Sequence, residues 1–236
     1  MHKKIIDELE TFKLNPDLKM SVTRLGSVGE WPIVIIDDLY ANPDAVRQLA
    51  LDIPPCFNSS SLVNNFPGGR IDSIFSLAHF GPVFDHLIKE VWPSTWSKLP
   101  EQYLNEKLAN ATFIVNVMQD QWVKARVPHV DHIDPNAFAG TVFLNTPDEC
   151  EGGTGFYSFN NKFTGNGSEL RKSITDTEPH NEFVTDSVGD WKLEYLAEMK
   201  YNRFILYSSR LYHHPYMKPG KYVDDLYRLN QMFFIQ

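Results

Sequence analysis

Ala111-Thr112-Phe113-Ile114-Val115-Asn116-Val117-Met118 is where the grammar of this chain changes. Phe113, Val115 and Val117 alternate with Ile114, Asn116 and Met118, the period of a strand, whose successive side chains point to opposite faces. Downstream, Thr141-Val142-Phe143-Leu144 precedes the turn-like Asn145-Thr146-Pro147-Asp148, and Gly152-Gly153-Thr154-Gly155 leads into Phe156-Tyr157-Ser158-Phe159. The glycines there read as a tight turn needing positive φ, since no helix follows them to cradle a phosphate. Arg203 to Tyr207 and Leu229 to Ile235 read as the last two strands. Trp191, Leu193, Tyr195, Leu196 and Met199 suit a helical or mixed segment, and residues 160–190 read as a long polar excursion.

Upstream of Ala111 the signals are mostly helical. Ile5, Ile6, Leu9 and Phe12 share one helical face, and Val83, Phe84, Leu87, Ile88 and Val91 share another that Pro93 ends. Asn42-Pro43-Asp44 is a helix start, with a capping Asn, Pro in the first turn and an acid beside it. Ile33-Val34-Ile35-Ile36 is a continuous β-branched run, expected as a buried strand, and residues 54–72 read as loop. Helices early and short strands late predict an α+β chain with a mainly β core, a sandwich or jelly roll with the N-terminal helices outside it. One domain over residues 1–236 is expected, with an N-terminal elaboration over 1–110 and a core over 111–236 that carries an insertion at 160–190.

The formal net charge of -8 disfavours nucleic acid, whose phosphates call for Lys and Arg, and gives no support to an anionic membrane surface. No stretch approaches the roughly 20 apolar residues of a membrane span, and Met1 to Glu8 lacks the apolar run of a secretory signal. Cys56 and Cys150 alone build neither a disulfide framework nor a cysteine zinc site, so a reducing cytoplasm is expected.

The chemistry concentrates in Pro128-His129-Val130-Asp131-His132-Ile133-Asp134, two overlapping His-x-Asp pairs. On a strand, either His129 with Asp131 or His132 with Asp134 can reach one ion, but one regular strand cannot present both pairs. His213-His214 is the later source of a third ligand. Two imidazoles and one carboxylate, leaving positions open, suit a non-haem Fe(II) that also binds a co-substrate and O2. Each piece also has a plain structural reading: a solvated turn for the first cluster, surface or capping histidines for the second. Arg228 heads the last strand, where alternation places it on one face with Asn230 and Met232. Its guanidinium can grip a carboxylate through two hydrogen bonds, or can pair with Asp224 or Asp225.

In order and spacing these residues resemble the Fe(II)/2-oxoglutarate-dependent oxygenase superfamily. The motifs are Pro128 to Asp131, Ala139 to Asn145, Gly152 to Tyr157, Asn202 to Tyr207, Leu211 to His213 and Arg228 to Asn230. The likeness is to a bacterial and phage-type branch with a prolyl-hydroxylase-like layout, which Asp37 to Pro43 and Pro67 to Arg70 also resemble. It implies a double-stranded β-helix (a cupin-like jelly roll), with Fe(II), 2-oxoglutarate and O2 as cofactor and co-substrates. By position it implies His129, Asp131 and His213 as the metal ligands and Arg228 as the anchor of the co-substrate's far carboxylate. Asn116, on the strand before the first ligands, is a further candidate for co-substrate binding. Expected substrates are a small molecule or an amino-acid or peptidyl residue. Halogenation is disfavoured, because that chemistry replaces the carboxylate that Asp131 supplies. A zinc-dependent hydrolase or isomerase on a cupin-like scaffold and a non-enzymatic ligand-binding jelly roll are the competing readings.

Overall fold

The computed structural model describes residues 7–52, 69–71, 80–95, 98–104, 112–118, 128–165, 186–218, 220–222 and 226–235, with the backbone alone for 8, 69–71 and 112–118. Among the described residues the helices α1 (Glu8–Thr11), α2 (Pro43–Asp52) and α3 (Gly81–Val91), with a helical turn at 101–104, accompany ten strands. These are β1 (Lys19–Leu25), β2 (Trp31–Asp37), β3 (Gly69–Ile71), β4 (Thr112–Met118), β5 (Phe138–Phe143), β6 (Gly153–Phe159), β7 (Trp191–Glu198), β8 (Phe204–Ser208), β9 (His213–Tyr216) and β10 (Arg228–Ile235). They form two antiparallel sheets, a seven-stranded one in the order β1-β2-β8-β5-β10-β4-β3 and a three-stranded one in the order β7-β6-β9. Among the described residues no helix is long and apolar enough to cross a membrane.

The large sheet is covered on both faces. Val34, Ile36, Phe138, Val142, Phe204, Leu206, Leu229 and Phe233 point to one face, where Phe80, Phe84, Leu87 and Ile88 from α3 and its approach pack on them. Ile33, Ile35, Ala139, Phe143, Ile205 and Tyr207 point to the other, against Phe156 and Ala197 of the small sheet. A strand buried on both sides needs no polar alternation, which is why β2 reads as an unbroken apolar run. Close packing decides individual residues: a Cβ on Gly140 would lie 2.6 Å from the Phe204 ring, so only glycine fits where that ring crosses β5.

The capping signal of α2 is used as read, with Asn42 Oδ1 accepting from the Ala45 N–H at 3.2 Å. Four expectations need correction. Trp191–Glu198 is a strand and not a helical or mixed segment; its odd-numbered residues pack inward in pairs, on either side of a register shift opposite Phe156 and Tyr157. Within 54–72, read as loop, Gly69–Ile71 pairs with β4. Arg203 to Tyr207 is not the next-to-last strand, because β9 follows it. Of the first helix only Glu8–Thr11 is seen; Phe12 is buried but Leu9 faces solvent, and Ile5 and Ile6 lie outside the described residues. The N-terminal third also supplies β1, β2 and β3 to the large sheet as well as helices outside it.

A polar clamp ties the ends of β2 and β8 together. Arg203 donates to both oxygens of Asp37, at 2.6 and 3.1 Å, and Lys200 adds a third bond at 2.9 Å. Asp37 ends β2 and Arg203 precedes β8, so the clamp closes this strand pair at its end away from Ser208.

Candidate metal centre

Pro128 enters the site buried, and His129 then forms an isolated antiparallel bridge with His213 at the head of β9. The two residues exchange both backbone hydrogen bonds at 2.9 Å, which sets their rings 4.5 Å apart. Two residues on, the Asp131 N–H donates to the Ser209 carbonyl at 2.9 Å, tying the first cluster to the turn after β8. Asp131 is thereby held between the imidazoles, with Oδ1 3.5 Å from His129 Nε2 and Oδ2 3.3 Å from His213 Nε2. The three side chains offer ligand atoms that all lie within 4.8 Å of one another.

Burial is graded across this triad. The side chains of Asp131 and His213 are 9% and 6% exposed, whereas that of His129 is 42% exposed, so solvent reaches the group from the His129 side. His213 Nδ1 lies 2.9 Å from the Leu211 carbonyl oxygen. A carbonyl only accepts, so Nδ1 carries the proton and Nε2 is the atom turned to Asp131. Two electron-rich atoms at that separation need a positive charge between them. A proton meets the need in part: burial opposes a charged His213, yet the Asp131 carboxylate outweighs it and raises the imidazole's pKa. Burial likewise opposes a charged Asp131, yet the two imidazoles hold its carboxyl well below the usual range. A metal ion meets the need fully. Ligand atoms about 2.1 Å from one ion lie about 3 Å apart when mutually perpendicular, close to the 3.3 and 3.5 Å found here.

The doubled motif is separated by this geometry. His132 Nδ1 accepts from the Asp134 N–H at 3.0 Å, and Asp134 Oδ1 accepts from the Asn136 N–H at 2.8 Å, so the second pair builds the turn into β5. His214 follows His213 on β9 and is fully buried; burial and the neighbouring cationic groups keep it neutral.

Arg228 lies in the same interior, 3% exposed, donating to the Gly153 carbonyl at 2.9 Å with its guanidinium 5.5 Å from the centre of the Phe143 ring. Burial lowers its pKa to about 10. On β6, Gly153 is three residues from Phe156, the partner of His213, which at about 3.4 Å per residue separates the two rows by about 10 Å. Tyr207 stands between them: its ring is 4.8 Å from that of His213 and its hydroxyl meets Thr141. Asn230, two residues past Arg228, is 1% exposed, and its amide has no hydrogen-bond partner among the described residues. Asn116 lies opposite Asn230 in the β4–β10 register. Asp224 and Asp225, the alternative partners of Arg228, lie outside the described residues, as does His180. Sequence reading missed the roles of Tyr207, Ser209 and Leu211, the last two because they act through backbone carbonyls.

A family model matches residues 16–228, nearly the whole chain, under the description family of unknown function (DUF6445). The chain belongs to family DUF6445. All four residues of the triad and its guanidinium, His129, Asp131, His213 and Arg228, fall within the part of this DUF6445 protein that the model matches. No curated protein matches its sequence. Among solved structures it is similar to an N-substituted L-amino acid dioxygenase from Burkholderia ambifaria AMMD, at 8% identity and a TM-score of 0.41, over 86% of this chain and 80% of that one.

Proposed function

We propose that this DUF6445 protein is a non-haem Fe(II)- and 2-oxoglutarate-dependent dioxygenase that hydroxylates a small molecule or an amino-acid or peptidyl residue. The observation that carries the reading is an open His129–Asp131–His213 triad together with a buried guanidinium bonded to Gly153, whose row on β6 is about 10 Å along the strand from that of His213's partner Phe156. A hydrolytic zinc site has use for the triad but none for the deep cation. The two facing sheets with helices on one outer side are the layout that a double-stranded β-helix requires.

The donor set suits the ion: two neutral imidazoles and one carboxylate leave positions open for a chelating co-substrate and O2. When bound, the iron supplies the oxidising chemistry, coupling decarboxylation of 2-oxoglutarate to attack on a C–H bond. The protein's own part is binding and orientation. His213 is held in the ligating tautomer by the Leu211 carbonyl, and Asp131 is pinned through its backbone by Ser209. Arg228 offers a desolvated cation for the far carboxylate of a five-carbon diacid. The Asn230 amide would supply hydrogen bonds beside it, and Asn116 is the cross-strand candidate for a further one. Tyr207 fills the wall between the two ends and excludes water there.

The test is a turnover assay with Fe(II), 2-oxoglutarate and O2 that follows succinate. Release that requires all three, and that disappears in His213→Ala, is the expected result. Metal-dependent turnover that neither consumes 2-oxoglutarate nor needs O2 would overturn the proposal.

A further inference from the structure

Trp31 is half-buried on the interior face of the large sheet, at the end of β2 nearer Ser209. On β2, Ile33 pairs with Tyr207 of β8, and both point into the interior shared with the small sheet. Alternation puts Trp31 on this same face one row further out, and it packs on the same cluster while keeping part of its surface exposed. Carried two residues on, the register brings Trp31 level with Ser209, whose carbonyl holds the Asp131 N–H. Leu25, its partner across the β1–β2 hairpin, is also half-buried on this cluster.

The hairpin therefore ends at the same end of the sheet as the triad. β8 lies between β2 and β5, and the ligand loop enters β5, so Trp31 and that loop flank the end of β8 from opposite sides. The His129 side chain is 42% exposed at this end, and Ile133, 68% exposed, is an apolar side chain on the ligand loop. Ile133 does not swing freely, because hydrogen bonds within His132–Asn136 fix its turn.

We infer that Trp31, backed by Leu25, is the substrate-contacting wall of the mouth and selects a substrate with an apolar group beside the reacting carbon. This rests on the reading of His129, Asp131 and His213 as a metal centre. An indole face gains from covering aliphatic or aromatic surface and itself offers a charged substrate group no ion-pair partner.

The experiment uses the full chain loaded with Mn(II), whose unpaired electrons speed the relaxation of nearby protons. The probes are N-acetyl amino-acid amides, with leucine, valine and phenylalanine set against asparagine, aspartate and lysine, observed by NMR with 2-oxoglutarate present. Expected are enhanced relaxation of the apolar probes over the polar ones, loss of that enhancement by about tenfold or more in affinity in Trp31→Ala, and recovery in Trp31→Phe. Trp31→Gln replaces the indole with a shorter polar side chain, so it should lose selectivity as Trp31→Ala does, with the melting temperature measured alongside to confirm that each variant is folded. Mn(II) binding with no preference for apolar probes, or a preference indifferent to Trp31, overturns the inference and leaves the metal centre standing. Failure of Mn(II) to bind wild type, or binding unaffected by Asp131→Ala, overturns the metal reading and this inference with it.

Discussion

His129 and His213 exchange both of their backbone hydrogen bonds, at 2.9 Å each, so the two imidazoles are placed by main-chain pairing before any ion arrives. Asp131 is brought between them by a third backbone bond, to Ser209. A site organised in this way is preformed, and its side chains can be removed one at a time without dismantling the pairing that positions the others.

Replacement of His129, Asp131 or His213 with Ala should therefore weaken Mn(II) or Fe(II) binding on the order of 100-fold or more while the fold is kept. His132→Ala should leave the affinity near wild type, because that ring serves a turn. Isothermal titration of the four variants checks this, and a large loss in His132→Ala with none in His129→Ala would reassign the ligands.

The Asp37–Arg203 clamp should make part of the stability acid-sensitive. The Arg203 guanidinium beside Asp37 lowers its carboxyl from 3.8 to about 2, outweighing the opposing effect of partial burial, with Lys200 helping. Its native pKa is below its unfolded one, so its contribution is complete above about 3.8 and is lost as pH falls through about 2. Asp37→Asn should cost about 1–2 kcal/mol at neutral pH, discounted for solvent screening at this partly exposed pair. Urea midpoints of both proteins at neutral and acid pH measure it, and a gap that does not narrow on acidification would contradict it.

Gly152 should tolerate no side chain. Its φ is 76°, and a Cβ would lie 2.0 Å from the Tyr216 carbonyl oxygen of β9. Because that atom is backbone, the strand itself must move, and Gly152→Ala should cost about 2–4 kcal/mol. The same displacement disturbs the strand that carries His213, so metal affinity should fall together with the denaturation midpoint. Wild-type values for both would show that the turn is softer than its geometry implies.

Phe84 tests the layer on the face of the large sheet away from the small sheet. It stacks on Phe204 at 5.8 Å and meets Phe233 edge-on at 5.4 Å. Phe84→Ala should cost about 3–5 kcal/mol, with metal affinity retained at temperatures where the variant is folded. Loss of metal binding from a fully folded variant would mean that the helix layer positions the site directly.

The sequence reveals the parts of this protein in which side-chain type and local period carry the information. Ile33–Ile36 announces a strand buried on both faces, Asn42-Pro43-Asp44 announces a helix start, and the His-x-Asp and His-His clusters supply the three side chains that the fold brings together. What it conceals depends on pairing. His213–Tyr216, with a proline at its third position, is a strand only because Gly153–Phe156 pairs with it. Trp191–Glu198 satisfies helical and strand spacings alike, and pairing with β6 decides between them. The placing of His213 and Asp131 side by side uses the Leu211 and Ser209 carbonyls, which any residue at those positions supplies. That Trp31 stands level with Ser209 follows from β2–β8 register, which no local pattern encodes.

The most direct test of the central claim is anaerobic titration of the Fe(II)-loaded protein with 2-oxoglutarate, read in the visible spectrum. The account predicts a metal-to-ligand charge-transfer band that saturates with co-substrate. The band should be absent in Asp131→Ala and His213→Ala, and in Arg228→Ala it should need a much higher co-substrate concentration. An Fe(II)-loaded wild-type protein that shows no band at any 2-oxoglutarate concentration would contradict it.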